Sequence, residues 1–181
     1  MAMLAAGTLA LGPRDGVLSV RTTRTGAAAK AGHDLVIEVT AWQAILEVGE
    51  DSAATSIALD ADATSLRVRE GTGGMQALGD DDKANIEQTI DDEVLKRQRI
   101  EFRSTTVQSS GDRLSVQGDL TLAGETRPIA FEVAVGADGR LAASVVIKQT
   151  DWGISPYSTL FGALKVADPV EVVLDAGPPP G

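Results

Sequence analysis

Apolar and polar residues alternate with a period of two along most of this chain, and no other feature limits its fold as tightly. After Arg127, the residues Ile129, Phe131, Val133 and Val135 share one parity, while Glu132 and the small Ala130 and Ala134 share the other. After Arg113, Leu114, Val116, Gly118, Leu120 and Leu122 alternate with Ser115, Gln117, Asp119 and Thr121. Ile57 to Ala61, Leu66 with Val68, Ile100 with Phe102, Leu141 to Ile147 and Val170 to Leu174 repeat the rule, and Gly7 to Leu11 reads as a first short strand. Successive side chains of a strand point to opposite faces, so each set predicts a strand buried on one side. Short turn sequences such as "SSGDR", "LAGETRP" and "GADGR" separate them, which predicts antiparallel hairpins. Eight or nine such strands must hide their apolar faces in a sandwich or a closed barrel.

Two stretches depart from the pattern. In residues 34–48, Leu35, Ile37 and Val39 have one parity and Trp42, Ala44, Leu46 and Val48 the other. One inner face can continue only if an extra residue is absorbed, which predicts a β-bulge near Thr40 and Ala41. In residues 79–96, Ile86, Ile90 and Val94 fall at i, i+4 and i+8, which predicts a helix able to cover a barrel end. Asp80, Asp81 and Asp82 suit the start of its dipole and Lys96 and Arg97 its end, whereas Asp91, Asp92 and Glu93 oppose it.

The 181 residues suit one domain, taken as residues 7–176 with tails at 1–6 and 177–181. Apolar residues make up 43% but aromatics only 3%, so the core is aliphatic. A net charge of −10 argues against nucleic acid and anionic membrane surfaces as partners. With no cysteine and one histidine, thiolate chemistry and multi-histidine metal sites are excluded, and no cofactor is expected. No apolar run approaches a membrane span. No basic residue precedes Arg14, so a secretory leader is not indicated and a cytoplasmic location is expected.

Chemistry-bearing constellations are sparse. Ser and Thr are plentiful without a nucleophile-elbow spacing, and the acidic triplets fit a solvated helix face. His33 reads either as a turn residue bonded to Asp34 or backbone, or as a polar contact at a barrel mouth. The segment "TDWGISPYSTLFGALKVADPVEVV" places Trp152, Tyr157 and Phe161 among Gly153, Pro156 and Gly162. Residues 148–152 are expected to finish one strand and residues 165–175 to include the last. The three aromatics are then expected to cap a barrel end, as a plug or as a gate.

Three segments resemble the YceI-like family of antiparallel, lipocalin-like barrels known for binding polyisoprenoid lipids. "VQGDLTLAGETRPIAFEV" is similar to the pattern G-x-L-T-x-x-G-x-T-[RK]-P through Gly118, Leu120, Thr121, Gly124, Thr126, Arg127 and Pro128. "IEFRST" resembles I-x-F-x-S through Ile100, Phe102 and Ser104, with Gln98 where proline is usual. The terminal segment resembles an aromatic–Gly–Ile core followed by V-x-D-x-V through Trp152, Gly153, Ile154, Val166, Asp168 and Val170. The resemblance implies a mainly β, antiparallel, lipocalin-like eight-stranded barrel with one α-helix in a connection. It also implies a non-enzymatic binder or carrier of a long-chain isoprenoid or other apolar lipid, and offers a periplasmic or secreted location as the alternative. Small inner residues, Ala44, Ala61, Gly118 and Ala143, would leave room for a thin chain. The candidate ligand-binding residues are Trp42, Phe102, Phe131, Trp152, Tyr157, Phe161 and His33; no catalytic or metal-binding residue is assigned. A lipid-modifying enzyme and an interaction module with a filled core are the rival readings, and a homodimer is left open.

Overall fold

The computed structural model describes residues 6–50, 54–74, 77–159 and 164–177. Its first strands are β1 (Gly7–Leu11), β2 (Gly16–Thr22), β3 (Arg24–Thr25), β4 (Asp34–Val39), β5 (Trp42–Val48), β6 (Ser56–Ala61) and β7 (Leu66–Thr72). Helix α1 (Asp80–Thr89) follows. Then come β8 (Ile100–Ser110), β9 (Arg113–Leu122), β10 (Glu125–Val135), β11 (Leu141–Lys148), β12 (Ser158–Thr159), β13 (Leu164–Val166) and β14 (Pro169–Ala176).

Eleven strands form one sheet in the order β1-β5-β6-β8-β9-β10-β11-β14-β2-β4-β7, with every neighbouring pair antiparallel. β5 lies near one end of that order and β4 near the other, yet only Thr40 and Ala41 separate them in the chain. The sheet therefore curls round on itself into a barrel. β1 with β2, β4 with β5, and β6 with β7 are each one stave broken at a corner. The eleven segments thus amount to the eight staves expected from the resemblance.

The corner at Thr40 and Ala41 replaces the predicted bulge. The Thr40 N–H donates to the Ser65 carbonyl at 2.9 Å, the Ala41 N–H to Ser65 Oγ at 3.1 Å, and the Asp62 N–H to the Ala41 carbonyl at 3.0 Å. These bonds satisfy backbone groups that leave both ladders at once. A corner shifts parity by one residue just as a bulge does, so Leu35, Ile37 and Val39 and then Ala44 and Leu46 all face inward. True register shifts lie elsewhere, between Val36 and Ile37 where β4 meets β7, and between Ser104 and Thr106 where β8 meets β9.

The predicted helix is present but changes character where the acids oppose the dipole. α1 gives way to a π-helical turn, Ile90–Val94, and Lys96 and Arg97 have left-handed φ of 53° and 55°. α1 lies along the free edge of β7, where Glu87 Oε1 accepts the Val68 N–H at 3.0 Å. A side chain thus does the work of a missing strand. A second correction concerns residues 148–152: the strand ends at Lys148, and Gln149–Trp152 is a 3-10 turn closed by Gly153 at φ 70°. The short β12, β13 and β3 form a separate small sheet over the same barrel end.

Gly118 is small for a different reason from the one expected. A Cβ there would stand 2.6 Å from Phe102 Cζ and 2.4 Å from the Arg103 carbonyl oxygen. The Phe102 ring occupies that space and meets Phe131 with centroids 5.4 Å apart and planes at 56°, a tilted pair. The motif glycine makes room for an aromatic ring and not for a ligand.

Candidate functional site

The barrel encloses a cavity of about 530 Å³, within the range of small-molecule sites. Every stave contributes to it. Leu18 and Val20 of β2, Leu35, Ile37 and Val39 of β4, and Ala44 and Leu46 of β5 line one side. Phe102, Leu120, Phe131, Val145 and Val172 represent strands β8, β9, β10, β11 and β14. These are the inward members of the alternating sets, so the period of two in the sequence builds the lining directly. Ile86, Ile90 and Val94 extend it along the free edge of β7, where the helix closes the wall, which gives the helical stripe its purpose.

Polar side chains gather mainly at the barrel mouth, where β2 ends and β4 begins. Thr22, Arg24, His33, Asn85, Thr89, Gln149, Tyr157 and Lys165 touch the cavity there, and no carboxylate lines it among the described residues. Arg24 is committed to structure. Its Nη1 donates to the carbonyls of Gly32 at 2.9 Å and Thr72 at 2.8 Å, and its backbone N–H donates to Asp34 Oδ1 at 2.8 Å. These bonds hold the end of β2, the start of β4 and the end of β7 in one ring around the mouth. His33 is half-buried, with its ring against Gly74, where an added Cβ would lie 2.5 Å from Nε2.

The structure brings four of the seven candidate residues onto one cavity: His33, Phe102, Phe131 and Tyr157. Tyr157 sits at the rim, 46% exposed. Trp42 is buried at the corner beside Ala41 and lies off the lining; its Nε1 has no hydrogen-bond partner among the described residues. Trp152 is also off the lining. It is 3% exposed, and its Nε1 donates to the Leu120 carbonyl at 2.8 Å. It is a structural pin from the 3-10 turn to β9. Phe161, with Gly162, lies outside the described residues. The parity argument found most lining residues, such as Leu120 and Val172; among the aromatic candidates, Trp42 and Trp152 sit in the wall and not on the lining.

The motif Asp168 also has a structural role. Its carboxylate accepts the Thr150 hydroxyl at 2.6 Å and the Thr150 N–H at 2.8 Å, while its carbonyl accepts the Gln149 N–H at 3.1 Å. The Thr150 hydroxyl, then its N–H, hold the Asp168 carboxyl below the ordinary value of 3.8. A depressed carboxyl stabilises the fold above the unfolded pKa and loses that contribution as pH falls through the lower folded value. Acidification below about pH 4 is therefore expected to loosen the Gln149–Trp152 turn. Asp168→Asn should flatten the pH dependence of tryptophan fluorescence below about pH 4 in a chain whose other tryptophan, Trp42, is replaced by Phe, and an unchanged profile would count against the latch.

The other carboxyls with depressed values, Asp60 and Asp62, are outside the cavity. For Asp60, burial works upward but is outweighed by hydrogen bonds from Arg99 and Arg103; for Asp62, Thr64 donates through its hydroxyl and its N–H. The cavity thus holds apolar walls and a polar rim, with no lining carboxylate among the described residues to form an acid–base pair.

Comparison with solved structures gives the same architecture. Burkholderia cenocepacia BcnA superposes with a TM-score of 0.61 at 16% identity, covering 87% of this chain and 94% of that one. A mutant Campylobacter jejuni YCEI protein with a monobromobimane guest gives 0.54 at 15% identity, covering 77% and 81%. At such identities the likeness concerns the fold. None of the curated proteins compared with the chain matches it. No helix among the described residues is long and apolar enough to cross a membrane. A model of the YceI-like domain matches residues 19–177, which takes in all of the motif segments and nearly every stave, and the chain belongs to the YceI-like family.

Proposed function

We propose that the protein binds a long-chain apolar lipid, of isoprenoid type, inside the barrel and carries or sequesters it without chemical change. The observation that carries this reading is the cavity of about 530 Å³ with apolar walls and no carboxylate on its lining among the described residues. Burying about ten chain carbons at roughly 0.8 kcal/mol each gives about 8 kcal/mol gross. Ordering a flexible chain takes back part of that. Family membership supports a binding role. His33, Phe102, Phe131 and Tyr157 are the proposed contacts from the sequence set, the aromatic pair along the chain and the other two near its polar end. General acid–base work would need positioned groups of matched pKa inside the cavity, and no carboxylate among the described residues lines it.

Retinol, an isoprenoid alcohol whose emission rises in apolar surroundings, is a suitable probe. Saturable uptake by the purified chain, with a matching one-to-one complex in native mass spectrometry, is the expected result. No uptake of retinol, together with only an unliganded mass after mild purification, would overturn the reading.

A further inference from the structure

The barrel wall parts beside β7 and between β10 and β11, and the two gaps are treated differently. Beside β7 the gap is covered by α1. Between β10 and β11 it is not. Their register runs over three pairs only, from Val135↔Leu141 to Val133↔Ala143. Both strands then continue, β10 back to Glu125 and β11 on to Lys148, without further pairing to each other. Each keeps its other neighbour, β9 and β14. The seam is bridged again at its end by Arg127, whose Nε donates to the Asp151 carbonyl at 3.2 Å.

Three independent features show that this seam opens into the cavity and is built to stay open. Ser144 lines the cavity although its parity points outward and its Oγ bonds Glu171 Oε2 at 3.0 Å. An outward residue can touch the lumen only where the wall beside it is missing. Next, the Val135 N–H donates toward the β9 side, to the Asp112 carbonyl, so the backbone of Ala134, Glu132, Ala130 and Pro128 faces β11. Pro128 thus presents to the seam a nitrogen that has no hydrogen to pair, as strand prolines do at open edges. Finally, the seam has apolar lips. Ala130 is exposed, and Val146 is 63% exposed, the most exposed of the large apolar side chains among the described residues.

We infer that the seam between β10 and β11 is a lateral portal through which an apolar chain enters and leaves the cavity. This rests on the reading of the cavity as a lipid site and adds the route. Sideways passage lets a long chain slip in along its length, without threading past α1 and the small sheet at the mouth. The lips supply an apolar path from surface to lumen, and the wall need break no ladder hydrogen bonds to admit it.

The chain has no cysteine, so two introduced thiols are unique. Continuing the register places Ala130 opposite Val146, and neither lines the cavity. In the double variant A130C/V146C, oxidation is expected to slow retinol association by about tenfold or more, and reduction to restore it. Where mass analysis shows that the disulfide does not close, a bis-maleimide bridge between the same thiols replaces it, compared with the two single variants carrying one label each. Equal association rates with the seam bridged and unbridged would overturn the portal while leaving the cavity reading intact. Absence of retinol uptake by the unmodified chain would instead remove the cavity reading and the portal with it.

Discussion

Ala44→Phe is expected to lower retinol affinity by about tenfold or more, equivalent to roughly 1.4 kcal/mol, while leaving the fold as stable as before or more so. Ala44 is 7% exposed and faces the cavity, so the new ring enters space that no side chain fills. Filling a void adds dispersion contacts and removes apolar surface from contact with solvent. A barrel with a filled core would respond with the opposite sign, because overpacking costs about 1–3 kcal/mol. Paired measurements of urea unfolding and retinol binding therefore separate a carrier from an interaction module. Destabilisation by more than about 1 kcal/mol with unaltered binding would sink the carrier reading.

Trp152→Ala should have the largest effect on stability. The side chain is 3% exposed, and its loss leaves a void between the 3-10 turn and β9. Truncation of a buried tryptophan costs about 3–5 kcal/mol. Its Nε1 bond to the Leu120 carbonyl goes too. Against a total of about 5–15 kcal/mol for a domain, this brings the fold close to its limit. Trp152→Phe keeps most of the packing and loses the donor, with an expected cost nearer 1–3 kcal/mol. Because Trp152 stands off the cavity, the phenylalanine variant should still take up retinol with little change. Denaturant unfolding of both variants tests the role as a pin; a loss below about 1 kcal/mol for alanine would contradict it.

The staves were legible because a strand writes its two faces into the sequence as alternate residues. Leu114 to Leu122 and Ile129 to Val135 needed nothing more. The helical stripe Ile86, Ile90 and Val94 was legible for the matching reason, a period near four. What escaped were features with no period. The pairs in β3 and β12 are too short to show one, and the 3-10 turn at Gln149–Trp152 looks like the end of a strand. Thr40 and Ala41 show why parity alone is ambiguous: a bulge and a corner shift it equally, and only the partners decide. Residue type alone did not say which inner residues meet the cavity: Ala44, Ala61, Ala143, Phe102 and Phe131 line it, whereas Trp42, Trp152 and Gly118 do not. Inward parity says that Trp42 is buried, not whether it meets a void. Gly118 leaves a gap in sequence, and the Phe102 ring fills it in space.

Pro128 has a further consequence for life in a crowded solution. An unpaired strand edge is a template on which another chain can lay a strand, so a wall that stays open invites edge-to-edge aggregation. Along this edge, Pro128 withholds a donor and Glu132 adds an exposed charge. Each discourages a stranger's backbone without hindering a hydrocarbon, which makes no hydrogen bonds. The same residue that leaves the wall unsealed thus helps keep the molecules apart.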